Sequence, residues 1–194
     1  MGAWYISAVA QLRASRIDQY RGLCRDMLQR FGGGIAGQAE MAARVCLMCP
    51  DDPDVVAAAA LVAERAVKDT PRTPYMLYSA GLADYRCGRH ESALKQVRAS
   101  RAANETAQMI IFRDAYRALT DLVEAMALAR LGGAKDARDA LAEAEAMMAG
   151  RFPAEGSGGL YPEPWLEWAH CEVIHREARA VVEDAAFPDN PFAP

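Results

Sequence analysis

Apolar residues recur three and four positions apart along nearly the whole chain, and no stretch alternates apolar with polar residues as a half-buried strand does. Tyr20, Leu23, Cys24, Met27, Leu28 and Phe31 keep this spacing; so do Ala57, Leu61, Val62 and Ala66, and again Ile174, Ala178, Val181 and Val182. Gly and Pro interrupt it at Gly32–Gly34, Pro50–Pro53, Pro71–Pro74, Gly88, Gly132–Gly133 and Gly150–Pro164. The breaks leave about nine helices of ordinary globular length, and short connections favour antiparallel neighbours. An all-α fold follows. Alanine supplies much of the 52% apolar content and is a good helix former and a poor strand former.

A chain of 194 residues is one domain or a short repeat array, long enough to bury a core. We expect a single helical domain over 1–186 and a Pro-rich tail over 187–194. The net charge of -4 and the pI near 5.4 argue against nucleic acid, whose phosphates demand a basic surface. No apolar run approaches the roughly 20 residues that a bilayer requires, and no basic stretch precedes the apolar N-terminal residues. The expectation is therefore no membrane partner. Five cysteines, an odd number set within helical patterns, fit a reducing compartment better than a disulfide framework, which points to the cytoplasm.

Internal similarity refines the fold. "YRCGRHESAL" (Tyr85–Leu94) and "ARLGGAKDAR" (Ala129–Arg138) share Arg-x-Gly at a helix end and an Ala five residues after the Gly. "LRASRIDQYR" (Leu12–Arg21) is a third copy, with Ser15 in place of the Gly and Tyr20 in place of the Ala. The copies start 73 and 44 residues apart, which leaves room for units of roughly 36 residues and one insertion. A middle copy around Cys46–Ala58 has lost the Arg-x-Gly and carries "CPDDPD". In such a unit the Gly supplies the left-handed residue that ends a helix. The Arg (Arg13, Arg86, Arg130) suits the dipole of the last turn, and the Ala (Ala93, Ala137) permits close packing. Pairs with a leftover apolar face stack.

The unit resembles a degenerate tetratricopeptide repeat: Ala80-Gly81 in a first helix, Gly88 at the turn, Ala93 and Val97 in the second, and Trp4 where that family places its first-helix Trp. The ordered set "YRGLCRDMLQRFG", "ARVCLMCP", "AGLADYRCGRHESAL", "AMALARLGGAKDARDAL", "WLEWAHCEVIHREARAVV" and "AFPDNPFAP" resembles a helical region at the C-terminal end of some bacterial, planctomycete-type serine/threonine protein kinases and related β-propeller proteins. The resemblance spans nearly the whole chain; Glu105–Arg117 departs from it most. It implies a non-catalytic helical scaffold, and no kinase motif or catalytic residue is carried over. The expected architecture is a right-handed α-solenoid of about four helix pairs with a C-terminal capping helix.

Motifs with chemical meaning occur without the context that their chemistry needs. Gly32, Gly34 and Gly37 in "RFGGGIAGQAE" spell G-x-G-x-x-G, but a dinucleotide loop follows a strand, and Tyr20–Phe31 is helical. Cys46-x-x-Cys49 with His170, Cys171 and His175 offers ligand types for zinc, and Cys171 and His175 share a helix face. The pairs lie at opposite ends of an array whose units touch only neighbours, so no metal or other cofactor is expected. A redox role for Cys46 and Cys49 requires a lowered thiolate pKa. His170-x-Glu172 is half of a deaminase signature, with its Cys pair on the wrong side. The acidic residues of Ala134–Met148 read as a solvated helix face. No nucleophile elbow, P-loop or H-E-x-x-H occurs.

First helices of stacked pairs line a concave face. Placing the units in register puts Tyr5, Tyr75, Tyr78, Tyr85, Arg86 and Arg130 near it, and Tyr and Arg are residue types in which binding energy concentrates. Trp165 and Trp168 are expected to seal the end of the array. The function that follows is binding of a protein or peptide by a non-catalytic scaffold, with Arg86 and Arg130 pairing to acidic groups. Two alternatives stand beside it: a metal- or thiol-dependent enzyme or redox protein using Cys46 and Cys49 with His170 and His175, and a structural self-association domain. The oligomeric state is left open.

Overall fold

A computed structural model describes residues 2–106, 112–152 and 164–186; the tail expected at 187–194 and most of the Gly/Pro-rich stretch after Gly150 lie outside them. The described residues form nine helices and no strand: α1 (Gly2–Arg13), α2 (Ile17–Phe31), α3 (Ala36–Cys46), α4 (Pro53–Asp69), α5 (Pro74–Arg86), α6 (His90–Thr106), α7 (Arg113–Arg130), α8 (Ala134–Met148) and α9 (Trp165–Val182).

The helix ends fall where local chemistry places them. Pro53 and Pro74 open α4 and α5, where a missing N–H costs nothing, and the Asp52 carboxylate accepts from the Asp54 and Val55 amides. The three related turns share one geometry. Ser15, Gly88 and Gly132 have φ of 55°, 73° and 82°. The amides that follow them, of Arg16, Arg89 and Gly133, each reach a carbonyl five residues back at 2.9 Å. These are Schellman closures, and Ser15 stands in for glycine. Gly81 is needed for a different reason. A Cβ there would lie 2.6 Å from Cγ1 of Val97, so α5 and α6 meet at closest approach through this residue.

The G-x-G-x-x-G stretch is a helix–turn–helix corner. The Gly32 and Gly34 amides bond to the carbonyls of Leu28 and Phe31. Their own carbonyls accept from the Arg65 guanidinium of α4. A phosphate cradle needs free amides facing outward, and these are already spent.

Each helix from α1 to α8 packs on the one that follows it, and α1, α3, α5 and α7 also pack in succession, each on the next. The core runs between them: Tyr5, Leu12, Tyr20, Met27, Tyr78, Leu82, Leu119 and Met126 are all at most 2% exposed. The last helix departs from expectation. It does not merely close an end: α9 packs on α7 and α8 and returns to α1. The premise that units touch only neighbours therefore fails, because residues 5 and 170 are in direct contact. No described helix is long and apolar enough to cross a membrane.

Candidate functional site

A buried polar centre forms where α1, α3, α5 and α7 meet α9. His170 of α9 lies at its middle, with Nδ1 3.1 Å from the Tyr5 hydroxyl and Nε2 3.2 Å from the Tyr78 hydroxyl. One ring nitrogen donates to a phenol oxygen and the other accepts a phenol O–H, so a neutral ring is satisfied in either tautomer. Burial, reinforced by the Arg44 and Arg86 guanidiniums, pushes the His170 pKa well below its ordinary value of 6.5. Burial likewise raises the pKa of Tyr5 and Tyr78.

Arg44 of α3 carries the charge on the N-terminal side of α9. Its guanidinium lies 5.2 Å from the Tyr5 ring centroid and 5.6 Å from that of Tyr116. It donates to the Tyr116 hydroxyl at 2.6 Å and pairs with Glu40 at 3.0 Å and Glu167 at 3.7 Å. The Arg44 Nε approach to Glu40 is close but misaligned as a hydrogen bond. Ser79 donates to Glu40 at 2.6 Å. Burial raises the Glu40 pKa above 4.5, against the pull of Arg44 and Ser79.

Arg86 does the same work toward the C-terminal half of α9. Its side chain is 2% exposed. Nε donates to the Leu47 carbonyl at 3.0 Å, Nη2 to the Met48 carbonyl at 3.3 Å, and Nη1 to Glu177. Arg86 thus supplies the cap that the degenerate turn after α3 lost, and fastens α9 with the same fork.

The six groove residues expected from sequence separate by depth. Tyr5, Tyr78 and Tyr85 are buried, as is the Arg86 side chain, so these four are interior contacts and not an open binding face. The correction has a simple cause: α9 covers Tyr5, Tyr78 and Arg86, setting His170 on the two phenols and Glu177 on the guanidinium. Tyr85 lies against Arg86, ring centroid 5.7 Å from the guanidinium, and Arg130 acts on its hydroxyl. Tyr75 is half-buried, with its ring 6.3 Å from that of Tyr116, and Arg130 is exposed. The structure adds Glu40, Arg44, Ser79, Tyr116, Glu167 and Glu177, none of which the sequence reading singled out. The legible signal was a Glu–Arg pair four apart inside an apolar helix, and Glu167, His170 and Glu177 on the stripe that also holds Ile174.

The cysteine and histidine alternative fares differently from its premise. Cys46 donates to the Cys24 carbonyl at 3.5 Å, and Cys171 to that of Ala115 at 3.5 Å. Burial raises the Cys46 thiol, and pushes Cys49 up to about 12, opposite to what a reactive thiolate needs. His175 pairs with Glu145 at 2.9 Å. Among the described residues no three His, Cys, Asp or Glu side chains are placed to hold a metal ion. An open cleft of about 250 Å³ lies beside Arg86, lined also by Pro50, Pro53, Val56 and Cys87, and does not extend to His170.

The chain matches no family model, no curated protein and no solved structure. What it does is therefore read from its geometry. At the centre the carboxylates face guanidiniums, and the histidine is shared by two phenols. These groups hold α9 against the helices beneath it.

Proposed function

We propose that the chain is a non-catalytic scaffold that binds a protein or peptide, built as a right-handed, tetratricopeptide-like stack of four helix pairs with α9 as the closing helix. One observation supports this most: α1, α3, α5 and α7 all contribute to a surface that already holds a helix, with a guanidinium at each end and two phenols between. Helix-in-groove recognition needs such a surface, and multiple first helices converging on one ligand are how stacked pairs provide it. The bacterial signalling context and the cytoplasmic location belong to the same proposal and rest on the family resemblance.

The test is selection of a displayed library of amphipathic helical peptides against the full chain, followed by titration of enriched clones. The scaffold reading expects binding in about the micromolar range, the affinity of many transient partners. Absence of any enriched clone, together with stoichiometric zinc that is lost on Cys46→Ser, reverses the choice in favour of the metal-dependent alternative.

A further inference from the structure

The face that α9 buries sets charged and titratable side chains among apolar ones such as Trp168 and Ile174. Three of its buried side chains are Glu167, His170 and Glu177. Two of these form ion pairs with Arg44 and Arg86, and buried pairs recover little beyond the cost of drying their charges. Two buried polar atoms on α9, Nε1 of Trp168 and Oε2 of Glu177, have no hydrogen-bond partner among the described residues. Each such orphan weakens docking, since water would satisfy it. The groups beneath α9 also have partners outside it. Arg44 retains Glu40 and Tyr116, Glu40 retains Ser79, and Arg86 retains the Leu47 and Met48 carbonyls.

We infer that α9 is the resident occupant of an exchangeable site, and that a partner's amphipathic helix takes its place. The inference rests on the scaffold reading and names its ligand. Charge complementarity fixes the chemistry. Arg44 and Arg86 read carboxylates ten positions apart, which on a helix is about 15 Å along one face. Tyr5 and Tyr78 read a side chain three positions after the first carboxylate that both donates and accepts. The partner is an acidic helix with this pattern, and its own helix competes with an α9 held at high effective concentration.

The experiment uses the full chain and a fluorescein-labelled peptide of the sequence Trp165–Val182. Fluorescence anisotropy compares the unaltered chain with the double variant E167Q/E177Q, whose own α9 is loosened. The variant is expected to bind the peptide at least about tenfold more tightly than the unaltered chain, because loosening the cis helix removes its competition. A peptide with the same two substitutions should lose at least about tenfold, since it lacks both charges. Equal affinities for the two chains, or indifference to the peptide's carboxylates, overturn the inference. So does peptide-independent dimerisation of the variant, which assigns the site to a second copy's α9. If the variant does not fold, amide hydrogen exchange of the unaltered chain decides. Release requires α9 to open while α5 and α7 stay protected; exchange of all three only together overturns it. Library peptides that bind the chain and are not displaced by the Trp165–Val182 peptide leave the scaffold reading standing and sink this one.

Discussion

Ser15, Gly88 and Gly132 share a left-handed backbone, and only Ser15 holds it with a side chain. That conformation costs an L-residue roughly 1–2 kcal/mol, against which glycine's extra chain entropy is smaller. Ser15→Gly should therefore raise stability by about 0.5–1 kcal/mol and Gly88→Ala lower it by about 1 kcal/mol, read by urea titration. Gly81→Ala should cost about 1–3 kcal/mol despite better helix propensity, because the new methyl meets Val97 and the α5–α6 contact must widen. His170 gives a pH dependence with a definite sign. Its folded pKa is depressed, so the unfolded chain takes up a proton that the folded chain refuses. Stability is fully present above about pH 6.5 and declines as pH falls through the depressed folded value. Glu40 works oppositely: its raised pKa adds stability below about 4.5 that is lost as pH rises through the folded value. Comparison with His170→Gln, which keeps one donor and one acceptor, isolates the histidine. The variant's stability should change less between pH 7 and pH 5, by circular-dichroism melts, and an unchanged slope sinks the assignment. These glycines were legible in the sequence because a left-handed turn is a local matter of backbone sterics. The partners of His170 were not, because they lie 165 and 92 residues away.

The helices themselves were legible as elements, and for the same local reason: Pro, Gly and Asp mark their ends, and the apolar stripe marks their length. The course of α9 was not. Its sequence shows an amphipathic helix with two tryptophans, which fits a lid on the last pair as well as a helix lying across four others. Trp168 is buried under the Arg151 guanidinium at 5.4 Å, on a helix that packs on α7 and α8 and also reaches α1. Arg86 shows how much one side chain can tie between elements. It joins α5 to the end of α3 and to α9. Arg86→Ala should cost about 3–5 kcal/mol, because the Glu177 carboxylate stays buried without a partner charge and two carbonyls lose a donor. Arg86→Lys should recover only part, since a single ammonium cannot span the three acceptors of a planar fork. Equal stability for the Ala and Lys variants in denaturant titrations argues against the fork. Arg130, from the same repeat position, is exposed and should tolerate Ala with little loss. The sequence treats the two arginines alike; depth in the fold separates them.

On the scale of the molecule, burial sorts the cysteines. Cys24, Cys46, Cys49 and Cys171 are buried and Cys87 is exposed. Alkylation of the native protein should add one label, at Cys87, and the remaining thiols should react only on unfolding; mass spectrometry of peptides decides, and early labelling of Cys46 or Cys49 contradicts the packing. The contact between α1 and α9 also has a bearing on how the fold is reached. During synthesis α9 leaves the ribosome after the other eight described helices, and domains acquire structure as they emerge. Until then Arg44 and Arg86 would lack Glu167 and Glu177, and the two phenols would lack His170. A chain at that stage would present guanidiniums and phenols short of partners, and docking of α9 would quench that surface from within.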